Sequence, residues 1–584
     1  MNSVNFKNNK IVKICRENVL ICGLIVLFIL GGIRYVNLSA RNVVFMDFWR
    51  NICKFIEPVM EGEWPWREFW EAQFGQRNFL QMFLLAIDIK YLNLNCIWES
   101  YAGIIVIACT SIIIWLEWKR VISFQLTNKR NKLIHTILFF PLLLCLFNLN
   151  QWEILSLQFS FAFMFRIFCY VLIMFFTNSL LQNNDANLYK YCILGFFSAI
   201  VIDFLSQLYW PALVITLIIT WIIDLLKKKQ YNFKIVLAYW IPIFTAIFIY
   251  MYRLNDLGAG GNLEILIELL KSGGFILAIL YMLAGCVTPQ SVLQGLTNAN
   301  IITIGVIIAV IVVIAIFMFF KKHMEDRTYF PMMLCAYGLL SIVIIIYGRV
   351  GSFDLMYLTS SRYTCETSLI LVGIALTYCM CFFVNIGKYQ TLPLLIILIV
   401  FIGYADYTEF NIAPNRGLYK DNLVEMMSDI NYYEDNELAV FQSDSQLVRT
   451  GITLMKKYKL NIFYDKYIEE IGNTLETAAN KENIWEDRWV GKDASLRVSV
   501  GDEGYIYIST YNPFYVKHLD GRCEVLVDGE CRGIIDLSEE NSSIKIETQP
   551  NTIAKVKFVT NYYEDEQTPG ERQLCFVISM LESK

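Results

Sequence analysis

The feature that most restricts this chain is a train of apolar runs, each long enough to cross a lipid bilayer. They lie at 18–36, 100–118, 133–148, 155–178, 191–207, 211–226, 235–253, 301–320, 331–348, 364–384 and 391–405. A spanning helix takes roughly 20 mostly apolar residues, because backbone N–H and C=O groups find no water in the hydrocarbon and must bond within the segment. About eleven crossings are expected. A further run, 273–287 (GGFILAILYMLAGCV), is short for a crossing and is expected to be re-entrant or interfacial. Composition agrees: 17% of the 584 residues are charged and 56% hydrophobic, where a soluble domain carries about 25% charge.

Lysine and arginine near the ends of the runs set the expected orientation. One cluster is Lys7, Lys10, Lys13 and Arg16, and a second is Lys119, Arg120, Lys129, Arg130 and Lys132. Lys227, Lys228, Lys229 and Lys234 form a third, and Lys321, Lys322 and Arg327 a fourth. All fall on one side if the eleven runs alternate, and that side is expected to be cytoplasmic. Counting 273–287 as a crossing would move the fourth cluster outside. The first apolar segment is read as a retained helix, since no small-residue cleavage site follows it.

With an odd number of crossings, everything after about 405 is expected outside, and its pattern changes. Residues 418–431 and 444–460 have helical spacing, whereas LRVSV, YIYIST, CEVLVDG, SIKIE, AKVKFVT and LCFVISM alternate and are separated by turn residues. Asp528-Gly529 is a two-residue hairpin signal. The expected organisation is a membrane domain at 1–405 whose first outer loop spans 37–99, a helical or mixed region at 406–490, and an antiparallel β-sandwich at 491–584. A turn at Asp528-Gly529 sets Cys531 opposite Leu526 and not opposite Cys523, so no disulfide is expected between those two cysteines.

Several function classes are disfavoured. A net charge of −4 supplies no basic face for nucleic acid. The three histidines, His135, His323 and His518, lie far apart, which argues against a histidine-ligated zinc site or a Ser-His-Asp triad. There is no P-loop or dinucleotide fingerprint, and Gly258-Ala259-Gly260-Gly261 lacks the strand-helix setting such a motif needs.

The polar residues that hydrophobicity does not account for gather in the expected outer loops. VVFMDFWRN opens the first of them. Asp47 there reads either as a general base partly desolvated by packed rings or as the cap of the helix that follows. Trp49, Trp64, Trp66 and Trp70 read as interfacial anchors or, alternatively, as sugar platforms. Later loops hold NLNQWEILSLQF (148–159), DFLSQLYWPAL (203–213) and YGRVGSFDLMYLTSSRYT (347–364). Arg349 and Arg362 flank the last loop on the side lacking the basic excess. They suit phosphate oxygens, or else pair with Asp354, Glu153 or lipid headgroups.

In order and side, these loops resemble the polytopic GT-C glycosyltransferases of bacteria. The resemblance rests on Asp47-Phe48-Trp49, on Gly75-Gln76-Arg77 and on Gln151-Trp152-Glu153 with Gln158. It continues through Tyr209-Trp210-Pro211, Gly348-Arg349 and Ser361-Arg362-Tyr363. It covers roughly 18–405 and implies a GT-C-like bundle that moves a sugar from a polyprenyl-phosphate donor to a glycan or lipid-linked acceptor on the outer face. It also implies that Asp47 is the base and that Arg349 and Arg362 hold the donor phosphate, with Arg77 and Arg50 behind them. Gln76, Tyr363, Trp152, Glu153, Gln158 and Trp210 would line the substrate site. Met46 stands where a second acidic residue is often found before the base, and Gly75-Gln76 where Glu-His is common, so a metal-independent reaction without a cofactor is expected. The C-terminal GERQLCFVISML partly resembles the closing strand of glycan-associated domains, through Glu571-Arg572-Gln573-Leu574.

Other classes share parts of this pattern. A lipid-linked glycan flippase or exporter would place ionisable residues inside spans. Asp203 lies near the end of its run and Arg166 reads as isolated. A polysaccharide polymerase or ligase would share donor and topology. A binding protein merely anchored by its helices would need only one of them.

Overall fold

The computed structural model describes residues 19–73, 76–122, 129–183, 186–228, 232–252, 263–349, 354–383, 388–464, 471–565 and 572–584. Gly75, Gly258 to Gly261, Glu571, Lys229 and the N-terminal basic cluster lie outside them. The described chain divides into two units: residues up to 41 with 65–85 and 96–419, and residues 42–64 with 86–95 and 420–584.

The first unit is a helical bundle. Eleven of its helices are long and apolar enough to cross a membrane: Val19–Ser39, Ile97–Ile122, Ile134–Leu155, Ser160–Gln182, Leu188–Leu205, Trp210–Lys228, Phe233–Met251, Asn298–Lys321, Phe330–Arg349, Ser361–Phe382 and Thr391–Ser428. These coincide with the eleven runs read from the sequence. The twelfth run forms helix Gly274–Val287, bent 87° from the helix ending at Lys271. Gly273 turns the corner at φ +77, a conformation open to glycine because it has no Cβ.

Helix Thr364–Phe383 is the axis of the bundle. It touches helices Ile97–Ile122, Lys129–Leu146, Ser160–Gln182, Gly274–Val287, Asn298–Lys321 and Phe330–Arg349. Its sequence, TCETSLILVGIALTYCMCFF, intersperses small residues among large ones, and small residues let helix backbones approach closely. At Gly373 an added Cβ would lie 2.6 Å from the carbonyl oxygen of Pro331 and 2.8 Å from the nitrogen of Cys335. The outermost helices are the reverse, leaving Leu27, Leu30, Phe244, Phe248, Val313 and Phe317 exposed as a lipid-facing surface would.

Three of the expected basic clusters meet at one end of the bundle. Lys227 pairs with Asp326 at 2.5 Å, Arg120 donates to the carbonyl of Arg327 at 3.1 Å, and Gln182 to that of Glu325 at 2.9 Å. Beneath them Glu117, fully buried, takes Arg120 at 2.6 Å, Asn178 at 3.0 Å and Thr328 at 2.5 Å.

A short ladder, β1 (Ala72–Gln73) with β2 (Gln76–Arg77), belongs to the first unit, and all other strands belong to the second. These are β3 (Ala479–Ile484), β4 (Trp489–Ser499), β5 (Tyr505–Tyr511), β6 (Arg522–Val527), β7 (Glu530–Asp536), β8 (Asn541–Glu547), β9 (Ile553–Val559), β10 (Glu564–Asp565) and β11 (Gln573–Ser583). They form one antiparallel sheet of order β7-β6-β9-β4-β11-β5-β8, with β3 on β4 and β10 on β11. The sandwich expected from the sequence is therefore one hydrogen-bonded sheet, rolled until its two edges approach. An added Cβ at Gly533 of β7 would strike Ile544 of β8. The six strands read from alternation are present, and Cys531 faces Leu526 as the turn requires.

Helix Lys388–Ser428 runs through residue 405 without a break, so the helical spacing at 418–431 is its continuation. In the second unit, helix Phe48–Met60 packs on helix Ser445–Lys457. Trp49 lies fully buried against Phe441, under Gly451, whose added Cβ would sit 2.8 Å from the indole. Trp49 is thus a core residue and not the interfacial anchor expected. Its neighbours in the helix, Ile52, Phe55 and Ile56, share that apolar face.

Candidate functional site

At one end of the bundle four short helical turns meet: Leu149–Gln151, Trp152–Leu155, Tyr357–Thr359 and Ser361–Tyr363. The first begins where Asn148 accepts the N–H of Asn150 at 2.9 Å. The amides of Asn148 and Asn150 then donate to the carbonyls of Cys286 at 3.2 Å and Gly285 at 2.5 Å. Buried main-chain carbonyls at the end of helix Gly274–Val287 are satisfied in this way, and the turn is fixed against them.

Glu153 is the hub of this cluster. Its carboxylate, 6% exposed, accepts the hydroxyls of Ser360 and Ser361 at 3.1 Å each and pairs with Nε of Arg362 at 3.2 Å. The guanidinium of Arg362 lies 5.4 Å from the ring centroid of Tyr357, and that of Arg349 lies 5.3 Å from the same ring. Nε of Arg349 donates to the hydroxyl of Tyr363 at 2.7 Å.

The two arginines differ in charge balance. Arg362 has Glu153, as one reading of the sequence allowed. Arg349 has no carboxylate partner among the described residues, because Asp354 instead accepts the N–H of Met356 at 2.9 Å. A ring face attracts a cation without cancelling its charge. The cluster therefore presents two forked guanidinium groups on one tyrosine with a single carboxylate, that of Glu153 on Arg362, and terminal guanidinium N–H groups match the spacing of phosphate or carboxylate oxygens.

One turn into the helix that starts at Thr364 lies a second polar group. Arg166, fully buried, pairs with Glu366, donates to Gln207 and sits 4.7 Å and 4.6 Å from the rings of Phe163 and Tyr209. The hydroxyl of Tyr337 donates to Glu366. Arg166 is therefore not isolated, as its sequence neighbourhood had suggested. Glu366 and Tyr337 were missed, and the available signal was a lone acidic residue within an apolar run.

The remaining candidates serve other contacts. Trp152 lies under Arg416, whose guanidinium is 3.6 Å from its ring and pairs with Glu409 at 2.7 Å. Trp210 packs on Tyr250 at 6.1 Å, Gln158 is buried, and Gln76 faces Gln73 across the β1–β2 ladder. Arg77 directs its guanidinium to main-chain carbonyls, those of Trp70 at 3.1 Å, Tyr250 at 3.0 Å and Tyr252. Its fork is occupied in holding the first loop to the end of helix Phe233–Met251.

Asp47 belongs to the second unit, as does Arg50, exposed on the following helix. Asp47 stands at the N-cap of helix Phe48–Met60, yet its side chain makes no capping bond; it accepts from the amide of Gln442 at 3.2 Å. It is exposed, so the enclosure by packed rings expected from DFW is not present. Among the described residues no three His, Cys, Asp or Glu side chains are grouped to hold a metal ion.

Fold and site together define a multi-pass membrane protein with an appended antiparallel β-rich unit and an arginine-tyrosine cluster at one end of its bundle. No family model matches the chain, and no curated protein or solved structure matches it either.

Proposed function

We propose that this protein is an integral membrane glycosyltransferase with a GT-C-like bundle. It transfers a sugar from a polyprenyl-phosphate donor to a glycan or lipid-linked acceptor on the outer face of a bacterial cell membrane. In this reading the N-terminus is cytoplasmic and the β-rich unit lies outside. The observation that carries the reading is the pairing of Arg349, a guanidinium with no carboxylate partner among the described residues, with Arg362 over one tyrosine ring. Such a pair suits a lipid phosphate.

The chemistry asks little else of the protein. The bond from the anomeric carbon to the phosphate oxygen breaks as the bond to the acceptor oxygen forms. The acceptor's hydroxyl proton goes to the base, and polyprenyl phosphate leaves with the electron pair. Arginine keeps its charge at any working pH and stabilises the departing phosphate. Asp47 is assigned the proton. The support is its place in the DFW motif and a carboxylate that accepts the neutral amide of Gln442.

The test is transfer from labelled polyprenyl-phosphate sugars by purified protein in lipid. Asp47→Asn is expected to abolish transfer with donor binding intact, and a fully active Asn variant overturns that assignment. Arg349→Gln is expected to weaken donor binding about tenfold or more, roughly 1.4 kcal/mol or above; unchanged donor affinity overturns the clamp.

One observation favours a second reading, a lipid-linked glycan flippase or exporter: Arg166 and Glu366 form a buried ion pair within candidate spans. Both members are already engaged, by Gln207 and Tyr337 respectively, which suits a structural pair better than a moving one. Movement of labelled donor across a vesicle without transfer decides for it.

A further inference from the structure

Helix Thr391–Ser428 carries three charged residues that the transfer chemistry leaves unused: Asp406, Glu409 and Arg416. Their spacing sets them along one face of the helix. Ala413 and Gly417 continue that face, both buried, and an added Cβ at Gly417 would strike the carbonyl oxygen of Leu38. Glu409 is fully buried and pairs with Arg416 at 2.7 Å, and Arg416 donates to the hydroxyl of Tyr35 at 3.4 Å.

Two contacts join this face to the turns that hold Glu153. Oδ1 of Asp406 accepts the N–H of Leu149, which opens the first turn, at 2.7 Å. The guanidinium of Arg416 lies 3.6 Å from the ring centroid of Trp152, the residue next to Glu153. At that distance the planar group stacks on the indole, a contact that the compact ammonium of lysine does not reproduce.

The turns Leu149–Gln151 and Trp152–Leu155 are only three and four residues long. Helical turns of that length have no stability of their own, because nucleation fixes several residues for one hydrogen bond. The direction of the Glu153 side chain is therefore imposed by what the turns touch. Asn148 and Asn150 tie the stretch to the carbonyls of Cys286 and Gly285. At Trp152, beside the carboxylate, the tie is Arg416.

We propose that Arg416 is a positioning residue for the phosphate clamp. Stacked on Trp152 and paired with Glu409, it fixes Glu153, and Glu153 fixes Ser360, Ser361 and the guanidinium of Arg362. This role rests on the reading that Arg349 and Arg362 hold the donor phosphate. Arg416 takes no phosphate itself: its side chain is 13% exposed and is engaged by Glu409, Tyr35 and Trp152.

Two variants test the role. Arg416→Lys keeps a cation for Glu409 and loses the stack, and Arg416→Gln with Glu409→Gln removes both charges so that neither is stranded. Each is compared with the wild type in lipid nanodiscs by thermal unfolding, by binding of a labelled polyprenyl-phosphate sugar, and by amide hydrogen exchange read by mass spectrometry. In both, native unfolding is expected, with donor binding weakened about tenfold and exchange faster over 357–363 as well as over 149–155. In an Arg362→Gln background the same changes are expected to weaken donor binding little further, because residues that act through one another are not additive. Undiminished donor affinity in both variants, exchange unchanged over 357–363, or an equal loss of affinity with and without Arg362 would each overturn the positioning role. Wild-type protein that binds no donor would overturn the transfer reading instead, and faster exchange over 357–363 in the variants would still support the positioning of the cluster.

Discussion

Arg166 and Glu366 show how much a single residue's meaning depends on its partner. They are 200 positions apart, and both side chains are inaccessible to solvent. Removing one member of such a pair strands the other charge in a low-dielectric interior, a change that typically costs about 3–5 kcal/mol, whereas replacing both with apolar residues of similar volume is often neutral. Glu366→Leu is therefore expected to lower the thermal midpoint of the purified protein sharply, and Arg166→Met with Glu366→Leu to recover most of the loss. A double variant no better than the single one would mean that Gln207 and Tyr337, not the ion pair, hold this point. The contrast with Cys531 explains what was legible. Its position opposite Leu526 follows from a turn a few residues away, a local constraint that alternation exposes. Nothing local names Glu366 as the partner of Arg166. The partners of Arg77 were hidden for the same reason: the carbonyls of Tyr250 and Tyr252 that its guanidinium bonds come from another helix end far along the chain.

At the scale of elements, the apolar runs were readable because length and hydropathy alone mark a spanning helix. Which helix forms the axis was not readable from hydropathy. It shows instead in the small residues of Thr364–Phe383, where contact between backbones replaces contact between side chains. Two glycines make the point testable. At Gly373 a Cβ would meet the backbone of Pro331 and Cys335 at 2.6 and 2.8 Å, whereas at Gly403 nothing lies within 4 Å. Gly373→Ala is expected to destabilise the bundle by about 1–3 kcal/mol through overpacking. Gly403→Ala, in a helix with open space around it, is expected to be neutral or to stabilise by up to about 1 kcal/mol. Thermal unfolding of the two variants side by side checks this, and equal effects would show that the axis yields more readily than its packing implies. The rolled sheet follows the same logic in reverse. Alternation identified its strands, but the closeness of β7 to β8 depends on Gly533 admitting Ile544, a contact between edges that period-two patterning does not encode.

At the scale of the whole molecule, the distribution of charge makes the broadest claim. Lys119 and Arg120, Lys227 and Lys228, and Lys321 and Lys322 all stand at the ends of their helices. The contacts of Lys227 with Asp326 and of Arg120 with Arg327 gather those ends on one side of the bundle. A basic end is retained on the cytoplasmic side during insertion, because short positively charged loops resist translocation. On the topology proposed above, eleven crossings from a cytoplasmic start would leave the β-rich unit outside. Cys531 reports on this directly, since it is exposed on β7 whereas Cys523 and Cys575 are buried. A membrane-impermeant maleimide applied to intact cells is expected to label the protein, and Cys531→Ser to remove most of that label. Labelling of Cys531 only after permeabilisation would place the unit inside. The outer-face transfer reaction would fall with that result, because its acceptor is expected at the cell surface.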